Sequence, residues 1–291
     1  MTALRFGLDV STSAAADADP VADARAAEAL GFDFVSASDH PSGTHPTYET
    51  WTMLTWIAAA TSRVHVATRV LGVPYRSPAV LAKMAESLDR LSGGRLILGL
   101  GGGASDEEFR SYGLPVRTPR EKVDALADAV RVIRGLWTQP RLTYDGVHYR
   151  TENAPLEPKP ARPIPIWLGT FGRRSLAITG ELADGWIPSL DHAGPDRIAG
   201  RHRQVADAAR AAGRDPADLT YACNLTVRVA DDGDSTGADV AGSIDAVTKQ
   251  LADLAAIGFD AFNLMPVGGG RARQVELLAT EVVPRTRRAV E

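Results

Sequence analysis

Short apolar runs alternate with amphipathic stretches from one end of the chain to the other. Residues 4–10, 32–38, 64–71, 95–101, 165–170, 185–189, 219–229 and 261–266 are nearly continuous in apolar side chains. Strands buried on both faces read this way, as in parallel sheets covered by helices. The stretches between them carry helix signals. Ser77 offers a cap and Pro78 suits the first helical position. Val80, Leu81, Met84, Leu88 and Leu91 follow at helical spacing, and Gly93 with Gly94 stops the run. Thr118-Pro119-Arg120-Glu121 reads as a capping box, after which Val123, Leu126, Val130, Ile133 and Trp137 line one face. Ile244, Val247, Leu251, Leu254 and Ile257 make a third stripe, closed by Gly258. Eight such strand–helix units predict an α/β fold, a (β/α)8 TIM barrel. A doubly wound open sheet repeats the same local pattern. The surplus length falls in residues 41–49, after the second strand, and in an insertion at about 137–163 with a hairpin around Asp145-Gly146. No linker or composition shift divides the chain, so residues 1–291 read as one domain, with 11–19 a polar loop.

Composition then narrows the function classes. With 32 basic and 36 acidic residues the net charge is −4, so no basic field argues for nucleic acid or an anionic membrane. The apolar stretch 96–104 falls far short of the roughly 20 residues a membrane helix needs. Arg5 and Asp9 interrupt the apolar character of the start, so a signal peptide is not expected. The single cysteine, Cys223, has no internal disulfide partner and reads as a small buried hydrophobe in a reducing, cytoplasmic setting.

In a barrel, reactive groups belong at the carboxyl ends of the strands. The second strand ends in Ser36-Ala37-Ser38-Asp39-His40-Pro41. Adjacent Asp39 and His40 suit acid–base chemistry, and equally suit a loop Asp capping amides beside an exposed His. The fourth strand runs into Gly99-Leu100-Gly101-Gly102-Gly103. Glycines there let a planar ligand or phosphate approach the backbone, or simply make a tight turn. The run matches neither a Walker loop nor the dinucleotide fingerprint. The fifth strand ends in Gly169-Thr170-Phe171-Gly172-Arg173-Arg174, with a helix starting near Gly172. That helix start suits a phosphate, or is a capped helix whose arginines face water. His40 and His45 lack a carboxylate at metal-ligand spacing, so no metal site is expected. No Gly-x-Ser-x-Gly elbow is present. His65 lies early in the third strand, away from the expected active end, and the tryptophans read as core or interface.

Three segments together resemble the bacterial-luciferase-like flavin and deazaflavin oxidoreductases. They are LGFDFVSASDH, RVHVATRVLGVPYRSPAVLAKMAESLDRLSGGRLILGLGGG and PIPIWLGTFGRRSLAITGELADGWIPS. The resemblance covers residues 4 to about 283. It implies a (β/α)8 barrel with an insertion, a homodimer, and a cofactor ring at the strand ends with its phosphate near the helix after strand five. Two cofactors occur in such proteins: FMN, used reduced to activate oxygen with a separate flavin reductase, and coenzyme F420, which only moves hydride. The Ser38-Asp39-His40 triplet looks like the F420 branch, and the alanine- and arginine-rich composition suits an actinobacterial source.

By the same resemblance, Asp39 would bond the ring or its ribityl hydroxyls and His40 would face the substrate as the catalytic acid or base. Thr68, Arg69 and Val70 would form the bulge behind the ring, with a cis peptide between Arg69 and Val70. Gly101, Gly102 and Gly103 would flank the cofactor tail. Gly169, Thr170, Phe171, Gly172 and Arg173 would take the phosphate. The deazaflavin sugar-phosphate dehydrogenases carry a Glu directly after the glycine run, where this chain has Ala104, and an aromatic in the region of Thr44. A Glu–His pair and a sugar-phosphate pocket therefore look absent. Any help for His40 would come from His45; Asp106, Glu107 or Glu108 could reach in, but they read first as a solvated helix start. The implied activity is F420-dependent hydride transfer to or from a small organic substrate. The alternatives are an FMN-dependent monooxygenase and an F420-binding protein without turnover. Residues 41–51, 137–163 and 191–195 would wall the substrate pocket. The helices after strands two and three, with Trp51, Trp56 and the stripe from Val80 to Leu91, would carry the dimer surface.

Overall fold

The computed structural model describes residues 4–230 and 237–290; residues 1–3, 231–236 and 291 lie outside this description. Eight parallel strands close on themselves: β1 (Arg5–Asp9), β2 (Phe34–Ala37), β3 (His65–Thr68), β4 (Leu96–Gly101), β5 (Ile166–Leu168), β6 (Gly185–Trp186), β7 (Thr220–Val229) and β8 (Ala261–Pro266). Each lies within or coincides with an apolar run picked out above. Closure comes from β8 pairing with β1, Ala261 opposite Arg5, and from β6 pairing with β7, Gly185 opposite Thr220. The fold is therefore a TIM barrel, and the open-sheet alternative is excluded. Local periodicity cannot distinguish the two, because both bury every strand on two faces.

The helices that cover the barrel begin and end largely where their signals fall. The first three are α1 (Pro20–Ala29), α2 (Thr50–Ala60) and α3 (Pro78–Leu91). The others relevant to the site are α4 (Asp106–Ser111), α5 (Pro119–Thr138), α6 (Arg173–Leu182) and α7 (Leu190–Ala193). Thr118 and Glu121 form the expected reciprocal capping box of α5, which satisfies two amides at a helix start. Ser77 occupies the cap position of α3, but its side chain makes no capping bond. Gly258 ends the helix Ile244–Ile257 in the left-handed conformation, which costs glycine no Cβ clash.

The barrel interior is filled by Phe34, Ala67, Ile97, Trp167, Ile187, Ala222 and Ala261. A larger apolar layer joins the outer strand faces to the helices. Two residues further along their strands, on the same face, stand Ser36, Gly99, Gly169, Asn224 and Asn263. The interior thus turns polar or bare toward the carboxyl ends. The insertion forms the hairpin Leu142–Asp145 with Arg150–Ala154. The segment after it docks beside α3, where Lys83 Nζ donates to Glu157 O at 2.9 Å. Cys223 is fully buried, and burial pushes its thiol pKa up. No helix of the described residues is long and apolar enough to cross a membrane.

At the amino end of the barrel Asp260 ties β1, β7 and β8 together. Its carbonyl accepts from Arg5 N at 2.9 Å, and its carboxylate accepts from Tyr221 N at 3.0 Å. Burial pushes its pKa up from 3.8 to about 6, against the pull of Arg5 and that amide. An acid raised in the folded state binds its proton more tightly there, so its contribution to stability is present at low pH and lost as pH rises through that range. Asp260→Asn should therefore melt higher than the parent at pH 7, with a margin that shrinks as pH is lowered below 6. Melting curves across pH check this; a margin independent of pH would refute it.

Candidate active site

A cavity of about 450 Å³ opens at the carboxyl end of the barrel. It is lined by Asp39 and His40 after β2, Arg69 and Val70 after β3, and Gly101, Gly102 and Gly103 at the end of β4. Gly169 and Phe171 after β5, Ile187 after β6, Asn224 on β7 and Met265 on β8 complete most of the wall. The structure thus brings together nine of the thirteen site residues proposed from the sequence. The cavity is not lined by Thr68, Thr170, Gly172 or Arg173.

Each departure has a physical reason. Thr68 is buried, and its hydroxyl donates to Gly99 O at 2.7 Å and accepts from Gly99 N at 2.8 Å. It stitches β3 to β4 behind the wall. Thr170 is buried with its hydroxyl 2.7 Å from that of Thr179 on α6, so it fastens the helix and presents no side-chain group to a ligand. The amide of Gly172 is taken by Ser175 Oγ at 3.1 Å. The amides left for an anion at this helix start are those of Arg173, Arg174 and Ser175, which lack intrahelical acceptors. Arg174 is paired with Asp124 at 2.6 Å, whereas the Arg173 side chain is exposed.

Asp39 is engaged by the protein itself. Its buried carboxylate accepts from Arg76 at 2.8 and 3.1 Å and from Gly72 N at 3.0 Å. Arg76 also pairs with Glu49, so the residue after β2, the turn after β3 and the start of α2 share one ion cluster. The expected bond from Asp39 to a cofactor therefore has only the remaining acceptor capacity of Oδ1 to draw on.

The peptide bond between Arg69 and Val70 is cis, where the resemblance placed it. Val70 faces the glycines. A Cβ on Gly101 would lie 2.6 Å from Val70 Cγ2, and one on Gly169 would lie 3.1 Å from it. A Cβ on Gly103, where φ is +90°, would meet the Phe109 ring at 2.3 Å. The glycine run thus does more than admit a ligand. It makes room for Val70 on one side and Phe109 on the other. Arg69 is paired with Asp9 at 2.9 Å, and burial raises the Asp9 pKa against the pull of Arg69 and Arg271.

Several side chains at the cavity were not proposed from the sequence, Asn224, Tyr75 and Met265 among them. Asn224 is 3% exposed and its Oδ1 has no hydrogen-bond partner. A buried acceptor without a donor is costly, so this atom calls for a ligand N–H or O–H. The signal available was a polar residue in an apolar strand, in register with Asn263. His192, within the segment 191–195 expected to wall the pocket, also lines it; its Nδ1 lies 2.6 Å from Asp191 and its ring stands 5.6 Å from that of Phe171. His45 is exposed and does not line the cavity. Of the segments expected to wall the pocket, 191–195 contributes Asp191 and His192, whereas 41–51 and the insertion contribute no lining residue; the insertion packs outside the barrel. Among the described residues no cluster of His, Cys, Asp and Glu could hold a metal.

Residues 2–276 match the model of the luciferase-like monooxygenase family. The chain belongs to this family. Among curated relatives, an F420-dependent hydroxymycolic acid dehydrogenase of Mycobacterium tuberculosis is 34% identical over 73% of this chain and 59% of its own length. An F420-dependent glucose-6-phosphate dehydrogenase of Nakamurella multipartita is 35% identical over 63% of this chain and 56% of its own. The aligned part of the chain thus spans little more than half the length of these relatives. Among solved structures, an F420-dependent secondary alcohol dehydrogenase with an F420–acetone adduct superposes with a TM-score of 0.87 at 20% identity, covering 98% of this chain and 99% of that one. At that identity the likeness establishes the barrel fold.

The Asp39 cluster leads to a test. Asp39→Ala leaves Arg76 with only Glu49 and should cost about 3 kcal/mol in urea unfolding of the cofactor-free protein. Unchanged stability would mean that Asp39 is kept for a ligand alone.

Proposed function

We propose that the protein is an F420-dependent oxidoreductase that transfers hydride between the deazaflavin and a small organic substrate. The observation that carries this reading is a cavity at the strand ends that joins an imidazole, an unpartnered buried acceptor and a bare glycine wall. The two relatives named above are F420-dependent enzymes, which supports it. The residues present fit the cofactor. Val70 offers an apolar seat for a ring, Asn224 an acceptor for a ring N–H, and the first-turn amides of α6 with Arg173 suit a phosphate. When bound, the deazaflavin would supply a carbon that accepts or gives hydride.

The chain's own residues do the rest. The cavity holds the two reactants together, which lowers the entropic part of the barrier. His40 takes or gives the substrate proton. Its ring is 56% exposed, so that proton exchanges with bulk water. Arg69, among the described residues the one Lys or Arg lining the cavity, is neutralised by Asp9. A sugar phosphate would lack a counter-charge there, so the substrate is uncharged or nearly so. One barrel acts as a single catalytic domain, and the buried free thiol of Cys223 suits a reducing, cytoplasmic setting.

We also infer a homodimer through α2 and α3. Trp56 is 71% exposed on α2, and Val80 and Leu91 are 57% and 83% exposed on α3. Apolar side chains so placed mark an interaction surface. Trp56→Glu should shift the mass measured by light scattering after gel filtration from dimer to monomer. A monomeric parent would refute the inference.

Fluorescence titration of the cofactor-free protein with F420 and with FMN tests the cofactor reading. Tight F420 and weak FMN binding is expected, and the reverse order would overturn it. His40→Ala should keep F420 affinity while turnover falls about 10²–10⁴-fold. Unchanged turnover would remove His40 from the chemistry.

A further inference from the structure

We propose that Tyr75 and Glu108 are positioning residues that fix the His40 ring with hydrogen on Nδ1, leaving Nε2 to exchange a proton with the substrate. This rests on the reading of the cavity as a deazaflavin site. The sequence suggested that a Glu–His pair was missing, because Ala104 stands after the glycine run. The structure supplies the carboxylate from one helical turn further on.

Glu108 Oε1 lies 2.9 Å from His40 Nδ1, and Tyr75 Oη donates to Glu108 Oε2. A carboxylate accepts only, so the hydrogen of this contact belongs to Nδ1 in the neutral ring. Burial and the neighbouring Glu108 push the Tyr75 pKa up, so the phenol stays a donor. Both carboxylate oxygens are thus held, and the Glu108 side chain is only 16% exposed. The ring nitrogen left for the cavity is Nε2.

The short helix α4 is fixed so that this contact persists. Phe109 is buried and its ring stands 5.1 Å from that of Tyr75. Ser105 accepts from Glu108 N at 3.2 Å, and Lys122 pairs with Asp106 at 2.7 Å. Tyr112 Oη donates to Pro41 O at 2.6 Å, and Ser111 Oγ lies 3.1 Å from Ser42 Oγ. Three consecutive residues, 40 to 42, are therefore bonded to α4 or to Tyr112, which caps it. Because the His40 ring is half exposed, solvent screens the charge of the pair. The effect of Glu108 then lies in tautomer and orientation, the role of the carboxylate in a serine-protease triad.

For an alcohol substrate the O–H proton would move to Nε2 and the O–H electron pair would become the second carbonyl bond, while F420, when bound, would supply the acceptor for the C–H hydride and its two electrons. The imidazolium would then release its proton to water.

Histidine ¹⁵N NMR of the full chain without cofactor reads the tautomer directly. The parent should show neutral His40 protonated on Nδ1, and Glu108→Ala a mixture of both tautomers. Tyr75→Phe should show a smaller change in the same direction. With F420 and a panel of small primary and secondary alcohols, Glu108→Ala should lower kcat about 10²-fold with little change in KM for F420. Glu108→Gln, whose amide oxygen can still accept, should recover part of it. Glu107→Gln, on the exposed side of the same helix, should match the parent. A mixed tautomer in the parent, or Glu108→Ala with parental tautomer and kcat, would overturn the proposal. So would loss confined to thermal stability. If the parent binds no F420, the cofactor reading fails, and the tautomer measurement still decides the positioning roles.

Discussion

The mouth of the barrel depends on where Val70 sits. The chain leaves β3 and turns inward, and Val70 comes to rest against Gly101 and Gly169 from the next two strands. A side chain at either position would push Val70 off its seat. Gly99, one layer below, has no room for a Cβ because Thr68 O would lie 1.9 Å from it. The wall of the cavity is therefore a packing solution. Close approach of three strand ends requires bare backbone, and bare backbone leaves a flat apolar seat under an otherwise polar mouth.

Electrostatics fixes the parts that packing leaves loose. Asp39, Arg76 and Glu49 form a cluster linking three segments, with Asp39 fully withdrawn from solvent. A buried charge must be paired and hydrogen-bonded, so the chain on either side of His40 cannot drift without unpairing a charge. His40 itself remains half exposed. A rigid base beneath a solvent-facing imidazole is what proton exchange at a positioned atom requires.

The barrel was legible in the sequence because burial on two faces leaves a mark at every strand, and the capping box of α5 was legible because its partners are three residues apart. The site was legible to the extent that it follows strand ends: Asp39, His40, Val70, Gly101, Gly102, Gly103 and Gly169 all line the cavity. What stayed hidden depends on pairs distant in sequence. Glu108 reaches His40 across 68 positions, and nothing local separates a helix-start glutamate facing water from one facing an imidazole. Thr68 and Thr170 were misjudged for the opposite reason. A strand-end hydroxyl has two directions open to it, and here both turn to neighbouring backbone or side chain. The insertion packs outside the barrel because its strands pair with each other and leave apolar side chains that need a covered surface.

The loop between residues 43 and 49 is exposed throughout, yet it is moored at both ends. Ser42 meets Ser111 on one side, and Glu49 meets Arg76 on the other. Further along, backbone bonds tie Pro46 and Tyr48 to Ala14 and Thr12, so only the tip at 43–45 is left without such a tie. A change of length at that tip is absorbed before it reaches His40. The architecture thus uncouples the outer rim from the atoms that handle a proton, and a barrel built this way can vary its rim while its reaction stays the same.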